Sequence, residues 1–99
     1  MKQKRLAALK RCITVRERMK TRHPDWAVVC SFNVCPLHKE FTEPEAMGRC
    51  VNLLMQCDML VYDEGGENSK GMMLEKAVAD IYGIPKMPLR FMLTREDLL

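Results

Sequence analysis

The sequence predicts a small α/β protein: a three-layer sandwich of Rossmann-like or flavodoxin-like type, with a mainly parallel sheet of about three strands. Three observations carry that expectation. The apolar runs Trp26–Phe32 and Met59–Tyr62 are too short for helices and read as buried parallel strands. Other segments place apolar residues at i, i+3 and i+4, the stripe of a helix packed on one side. Helix and strand alternate along the chain, an order that right-handed crossovers turn into a parallel sheet with helices on its faces. With 99 residues there is room for a single domain, taken as 1–99.

The elements follow in order. From Lys2 to Arg22, Leu6, Leu9, Ile13 and Met19 fall near helical spacing among basic residues, and the helix ends before His23-Pro24. Trp26–Phe32 is the first strand, and a loop connects Asn33 to Phe41. Thr42-Glu-Pro-Glu45 is a capping signature with proline in the first turn, starting a helix whose inner face includes Met47, Val51 and Leu54. Asp58–Asp63 is the second strand, and Gly65-Gly66 supplies the turn after it. Ser69 is an N-cap for a helix over Lys70–Tyr82, with Leu74, Ala77, Val78 and Ile81 facing the sheet and Gly83 followed by Pro85 closing it. Lys86–Leu93 is a third strand, held to an edge by Pro88. Thr94-Arg-Glu-Asp97 starts a short terminal helix.

Charge is unevenly distributed. Residues 1–22 hold nine of the 16 Lys and Arg with one acid, Glu17, leaving seven bases against twelve acids in the remainder. A basic helix thus sits on an acidic body. Such a helix could contact nucleic acid, but no aromatic stacking residues or nucleic-acid motif accompany it, so pairing with the acidic remainder is favoured. Five cysteines, an odd count without paired spacing, and no signal peptide point to a reducing cytoplasm rather than a disulfide framework. Cys30, Cys35 and His38 have a C-x4-C-x2-H spacing without a convincing fourth ligand, so neither metal nor cofactor is assigned. No segment is long or apolar enough to cross a membrane, and most of the nine methionines read as packing material.

The stretch Cys57–Glu75 reads as a ligand site. A short strand empties into a glycine-bearing loop that enters a helix at a serine, directing backbone donors to the strand's carboxyl end. Asn68 and Ser69 lie at that entry, the amides of Lys70, Gly71 and Met72 form the helix's positive end, and Gly71 leaves room for a ligand. Met72 and Met73 flank it at the pocket mouth. Glu75 has Gly71, Met72, Val78 and Ala79 as its helical neighbours, so no basic residue of its own helix pairs with it. Its side chain leans back towards the loop. Asp63, Glu64 and Glu67 add negative charge there, and His38, from the loop near Pro36, is placed at the cleft. The arrangement suits a phosphorylated or sugar-bearing small molecule.

Ser69-Lys-Gly71-Met-Met-Leu-Glu75, with Ala79, Gly83-Ile-Pro85 and the preceding Cys57-Asp58, resembles the S-x-G-x-x-x-E signature of the nucleoside 2-deoxyribosyltransferase-like superfamily. That superfamily includes deoxynucleoside monophosphate N-glycosidases and uncharacterised bacterial and phage families. The resemblance spans Leu53–Pro85. It implies that Glu75 is the nucleophile at the anomeric carbon of a deoxyribose and Ser69 the 5′-phosphate ligand, giving an N-glycosidase or deoxyribosyltransferase activity. Two departures accompany it. The family's opening strand, which lines the sugar pocket, has no counterpart here, and its partner acid corresponds to Cys50 or Arg49. The alternatives are therefore an inactive relative serving in assembly or regulation, or nucleic-acid binding through the first helix. Losing a strand would leave an edge or an apolar face uncovered, so a homo-oligomer is expected.

Overall fold

The computed structural model describes residues 2–36, 39–63 and 70–98. The chain runs through α1 (Lys2–Arg22), a 3-10 turn (Ser31–Asn33), α2 (Glu43–Met55), β1 (Leu60–Tyr62), α3 (Lys70–Tyr82), β2 (Lys86–Pro88) and two further 3-10 turns, Leu89–Phe91 and Glu96–Leu98. The two strands pair in parallel, Leu60 opposite Lys86, Val61 opposite Met87 and Tyr62 opposite Pro88. The class is α/β, as the alternation of elements predicts.

Local chemistry sets the helix boundaries. The Thr42 hydroxyl accepts from the Glu45 amide at 3.3 Å and donates to Glu45 Oε1 at 3.0 Å, a cap that stabilises α2 by about 1 kcal/mol. Past α1, the His23 and Trp26 rings stack at 4.0 Å, and the Trp26 amide donates to the His23 carbonyl. Gly83 ends α3 at φ 69°, and this left-handed residue lets the Ile84 amide reach back to the Ala79 carbonyl at 2.8 Å. At the C-terminus, the Thr94 amide donates to Asp97 Oδ2 at 2.8 Å while the Asp97 amide donates to Thr94 Oγ1 at 3.3 Å. That reciprocal box produces one 3-10 turn.

The sheet divides two apolar clusters. Successive strand residues point to opposite faces. Leu60 packs with Leu54, Val78 and Ala79 and with Val51, Leu74 and Ile84, the α2–α3 side. Val61 packs with Met19, Leu89 and Leu93 and with Val15, Val28, Met92 and Leu98, the α1 side. Three layers result: α1, the sheet, then α2 with α3.

Several sequence expectations change. Trp26–Phe32 is not a strand. Its extended residues end where Asn33 Oδ1 accepts from the Cys30 amide and thiol at 3.4 and 3.3 Å, so a local side-chain bond diverts the backbone into a turn. The sheet described therefore has two strands. The strand expected over Lys86–Leu93 stops at Pro88, because the Leu89 carbonyl is taken by the Met92 and Leu93 amides as Leu89 turns into the α1-side core. On α3, Ala77 and Ile81 face outward, Ile81 being 74% exposed. A two-stranded sheet is too narrow to cover so wide a stripe; Leu74 and Val78 face inward as expected, and Ala79 joins them there. On α1, Leu6 and Ile13 are likewise exposed, and Val15 joins Met19 in the core. Among the described residues no helix is long and apolar enough to cross a membrane.

Candidate functional site

Glu75 lies in the second turn of α3, half-buried. Burial pushes its carboxyl above the usual carboxylate range, because removing water penalises the charged form. Among the described residues no cation pairs with it. Its charge is felt by three thiols. Desolvation raises the Cys12 thiol of α1 to about 11, with the thiol of Cys30, to which it is hydrogen-bonded, and then the charges of Asp63 and Glu75 adding to the rise. Cys50 of α2 is raised to about 12, first by desolvation, then by the charge of Glu75 and by its contact with Cys35. Cys57, just before β1, is raised by desolvation and then by Asp58 and Glu75. The charge of Glu75 thus acts on three thiols that stay protonated at neutral pH.

Cys50 and Arg49 of α2 stand in different surroundings. The Cys50 thiol feels the charge of Glu75, whereas the Arg49 guanidinium stands 4.6 Å over the Phe41 ring and donates to the Val34 carbonyl at 3.3 Å. A protonated thiol can donate a weak hydrogen bond to a carboxylate, but it is a poor proton donor to a leaving group near pH 7.

Asp63 follows β1, and strand alternation carries it to the same face as Val61. There it meets α1: Arg11 Nε donates to Asp63 Oδ2 at 2.8 Å. The pair forms one wall of a cleft of about 330 Å³ lined by Arg11, Asp63, Leu89, Arg90, Leu93, Arg95 and Leu98. Leu89 and Leu93 are 4% and 3% exposed, so they belong to the core as well as to the cleft wall. The cleft opens where both parallel strands end, the position at which α/β sheets bind ligands.

The structure brings only part of the predicted set together. Gly71 and Met72 are half-buried in the first turn of α3, ahead of Glu75. Lys70 is exposed, its ammonium 3.6 Å from Glu43 Oε1 of α2. Asp63 reaches Arg11 rather than α3. Asn68, Ser69 and His38 lie outside the described residues, as do Glu64 and Glu67. Sequence reasoning missed Arg11, Arg90 and Arg95 as neighbours. Arg90 sits two residues past β2 and thus at its carboxyl end, a signal that was available; nothing in the spacing of Arg95 marks it. Among the described residues no three His, Cys, Asp or Glu side chains converge as metal ligands.

A family model described as a domain of unknown function, DUF4406, matches residues 14–87. No curated protein and no solved structure matches the chain.

Proposed function

The chain belongs to the DUF4406 family, and from that premise we propose that it binds a nucleoside, nucleotide or related sugar phosphate at the β1–α3 junction, with Glu75 placed to react at the sugar. One observation carries this reading: Glu75 is a half-buried carboxyl group without a counter-cation among the described residues, held near the start of the helix that follows the strand. A scaffold has no need of such a group, and desolvated acids cluster at functional sites.

In the chemistry proposed, a Glu75 carboxylate oxygen bonds to the anomeric carbon as the carbon–nitrogen bond to the base breaks, and the base leaves with the bonding pair and takes a proton from water. Water or a second base then displaces Glu75. The likeness of Ser69–Glu75 to the deoxyribosyltransferase-like signature supports this assignment. With Cys50 at about 12 in place of an acid, that thiol is a poor proton donor to the departing base near pH 7, and slow turnover is expected.

A panel of deoxynucleoside 5′-monophosphates tests the reading by thermal shift and by chromatography of released base. The expected result is a raised melting temperature for at least one member, since a ligand confined to the folded state stabilises it by mass action, together with slow base release abolished in Glu75→Ala. Neither stabilisation nor release with any member would overturn it. Stabilisation without release would assign the non-catalytic alternative, which the raised Cys50 thiol favours.

Nucleic-acid binding through α1 ranks below both, because Arg11 pairs with Asp63 and Arg22 with Asp97, in line with a basic helix that binds its own acidic body. Self-association is proposed over the outward stripe of α3, Met73, Ala77 and Ile81. Light scattering that gave a monomer mass would remove it.

A further inference from the structure

We propose that Cys35 and Cys50 are a site of reversible oxidation, closing to a disulfide that ties the connection between α1 and α2 onto α2. This bond can fail to form without touching the chemistry assigned to Glu75.

Both thiols are free, and three contacts bring them together. The Cys35 thiol donates to the Ala46 carbonyl of α2 at 3.8 Å. Cys50 follows Ala46 by four residues, so its side chain shares that helical face and leans back over the same turn. From the adjacent position the Arg49 guanidinium donates to the Val34 carbonyl at 3.3 Å, so Val34 and Cys35 are both fastened to one stretch of α2. The two thiols then meet in a side-chain hydrogen bond. A disulfide brings its sulfurs to about 2 Å. Cys35 lies past the Ser31–Asn33 turn, outside any helix or strand, where backbone can yield to that approach. Cys35 is buried and Cys50 half-buried, so a small oxidant enters at Cys50.

The oxidant is a low-molecular-weight disulfide such as oxidised glutathione. The Cys50 thiolate attacks one of its sulfurs, forming a mixed disulfide and releasing one glutathione thiol. The Cys35 thiolate then attacks the Cys50 sulfur and displaces the second glutathione. The protein gives up two protons and two electrons, which the two glutathione thiols carry away. Desolvation makes both directions slow, because the Cys50 thiolate is scarce and a thiol so raised is a reluctant leaving group on reduction. The pair is a latch, not a rapid sensor.

The test incubates the native full chain with oxidised and reduced glutathione at pH 8, alkylates remaining thiols, and maps chymotryptic peptides by mass spectrometry. Cleavage after Phe32 separates Cys30 from Cys35, and cleavage after Leu53 or Leu54 separates Cys50 from Cys57. A Cys35–Cys50 crosslink is expected to exceed glutathione adducts of either residue at least about tenfold, because a held thiol acts at high effective concentration. It should vanish with dithiothreitol, and the oxidised chain should melt at a higher temperature, since a closed loop restricts the unfolded state. Cys50→Ser should lose both the crosslink and the rise, whereas Cys57→Ser should keep them. No crosslink at Cys35 in the native chain, a crosslink chiefly to Cys12, Cys30 or Cys57, or an equal rise in Cys50→Ser would overturn the site.

Discussion

Arg11 and Asp63 meet at 2.8 Å although 52 positions separate them in sequence. Their bond joins the first helix to the residue that follows the first strand. The side chains are 42% and 29% exposed, so water screens the attraction. A double-mutant cycle with Arg11→Ala and Asp63→Ala, read by urea denaturation, should give a coupling of about 0.2–1 kcal/mol. The coupling should shrink in 1 M salt, where charges are screened within about 3 Å.

Glu75 makes wild-type stability depend on pH in a stated direction. Its carboxyl is raised in the folded state, so between the ordinary carboxylate range and the raised folded value the native chain binds more protons than the unfolded one. Stability is full below that window and falls as pH rises through it. Glu75→Gln removes the ionisation, and its urea midpoint should exceed the wild-type value at pH 7 and converge with it in acid.

Asp97 acts in the opposite sense. Its hydrogen bond from Arg22, then that from the Thr94 amide, hold its carboxyl down at about 2. The stabilisation is complete above the usual aspartate value near 4 and is lost as pH falls through about 2. Asp97→Asn should flatten this part of an acid titration followed by circular dichroism, while leaving the Glu75 part in place.

Cys12 and Cys50, raised to about 11 and about 12, should be sluggish nucleophiles, because the thiolate is the reactive form. Iodoacetamide at pH 7.5, with mass-spectrometric mapping, should modify both at least about tenfold more slowly in the folded chain than in urea. Equal rates would show that the two thiols are not desolvated in the folded chain.

Gly83 occupies left-handed backbone space with nothing within 4 Å of where a Cβ would sit. Its substitution cost is therefore conformational rather than steric. Gly83→Ala should lower stability by about 1–2 kcal/mol in thermal unfolding, and Gly83→Asn by less.

Much of the architecture was legible because it rests on local chemistry. Thr42 with Glu45, Gly83 after Tyr82, and Thr94 with Asp97 mark ends that the folded chain realises, and α3 runs over the predicted Lys70–Tyr82. What was not legible depended on partners distant in sequence. An apolar run such as Trp26–Phe32 becomes a strand only where a neighbouring strand accepts it, and Asn33 instead captured the backbone of Cys30. Ile81 was assigned to the interior by periodicity, but periodicity cannot state how wide the facing sheet is. The lack of helical partners singles out Glu75, and its burial adds to that. The arginine cleft went unseen because Arg11, Arg90 and Arg95 share no motif and meet only through the fold.

The alternation of Leu60 and Val61 has one more consequence. The side chain on the α1 side of this three-residue strand joins the core of Met19, Leu89 and Leu93, while that on the other side seats α3. Descendants of this chain can therefore repack one cluster by drift while the opposite cluster keeps its shape throughout.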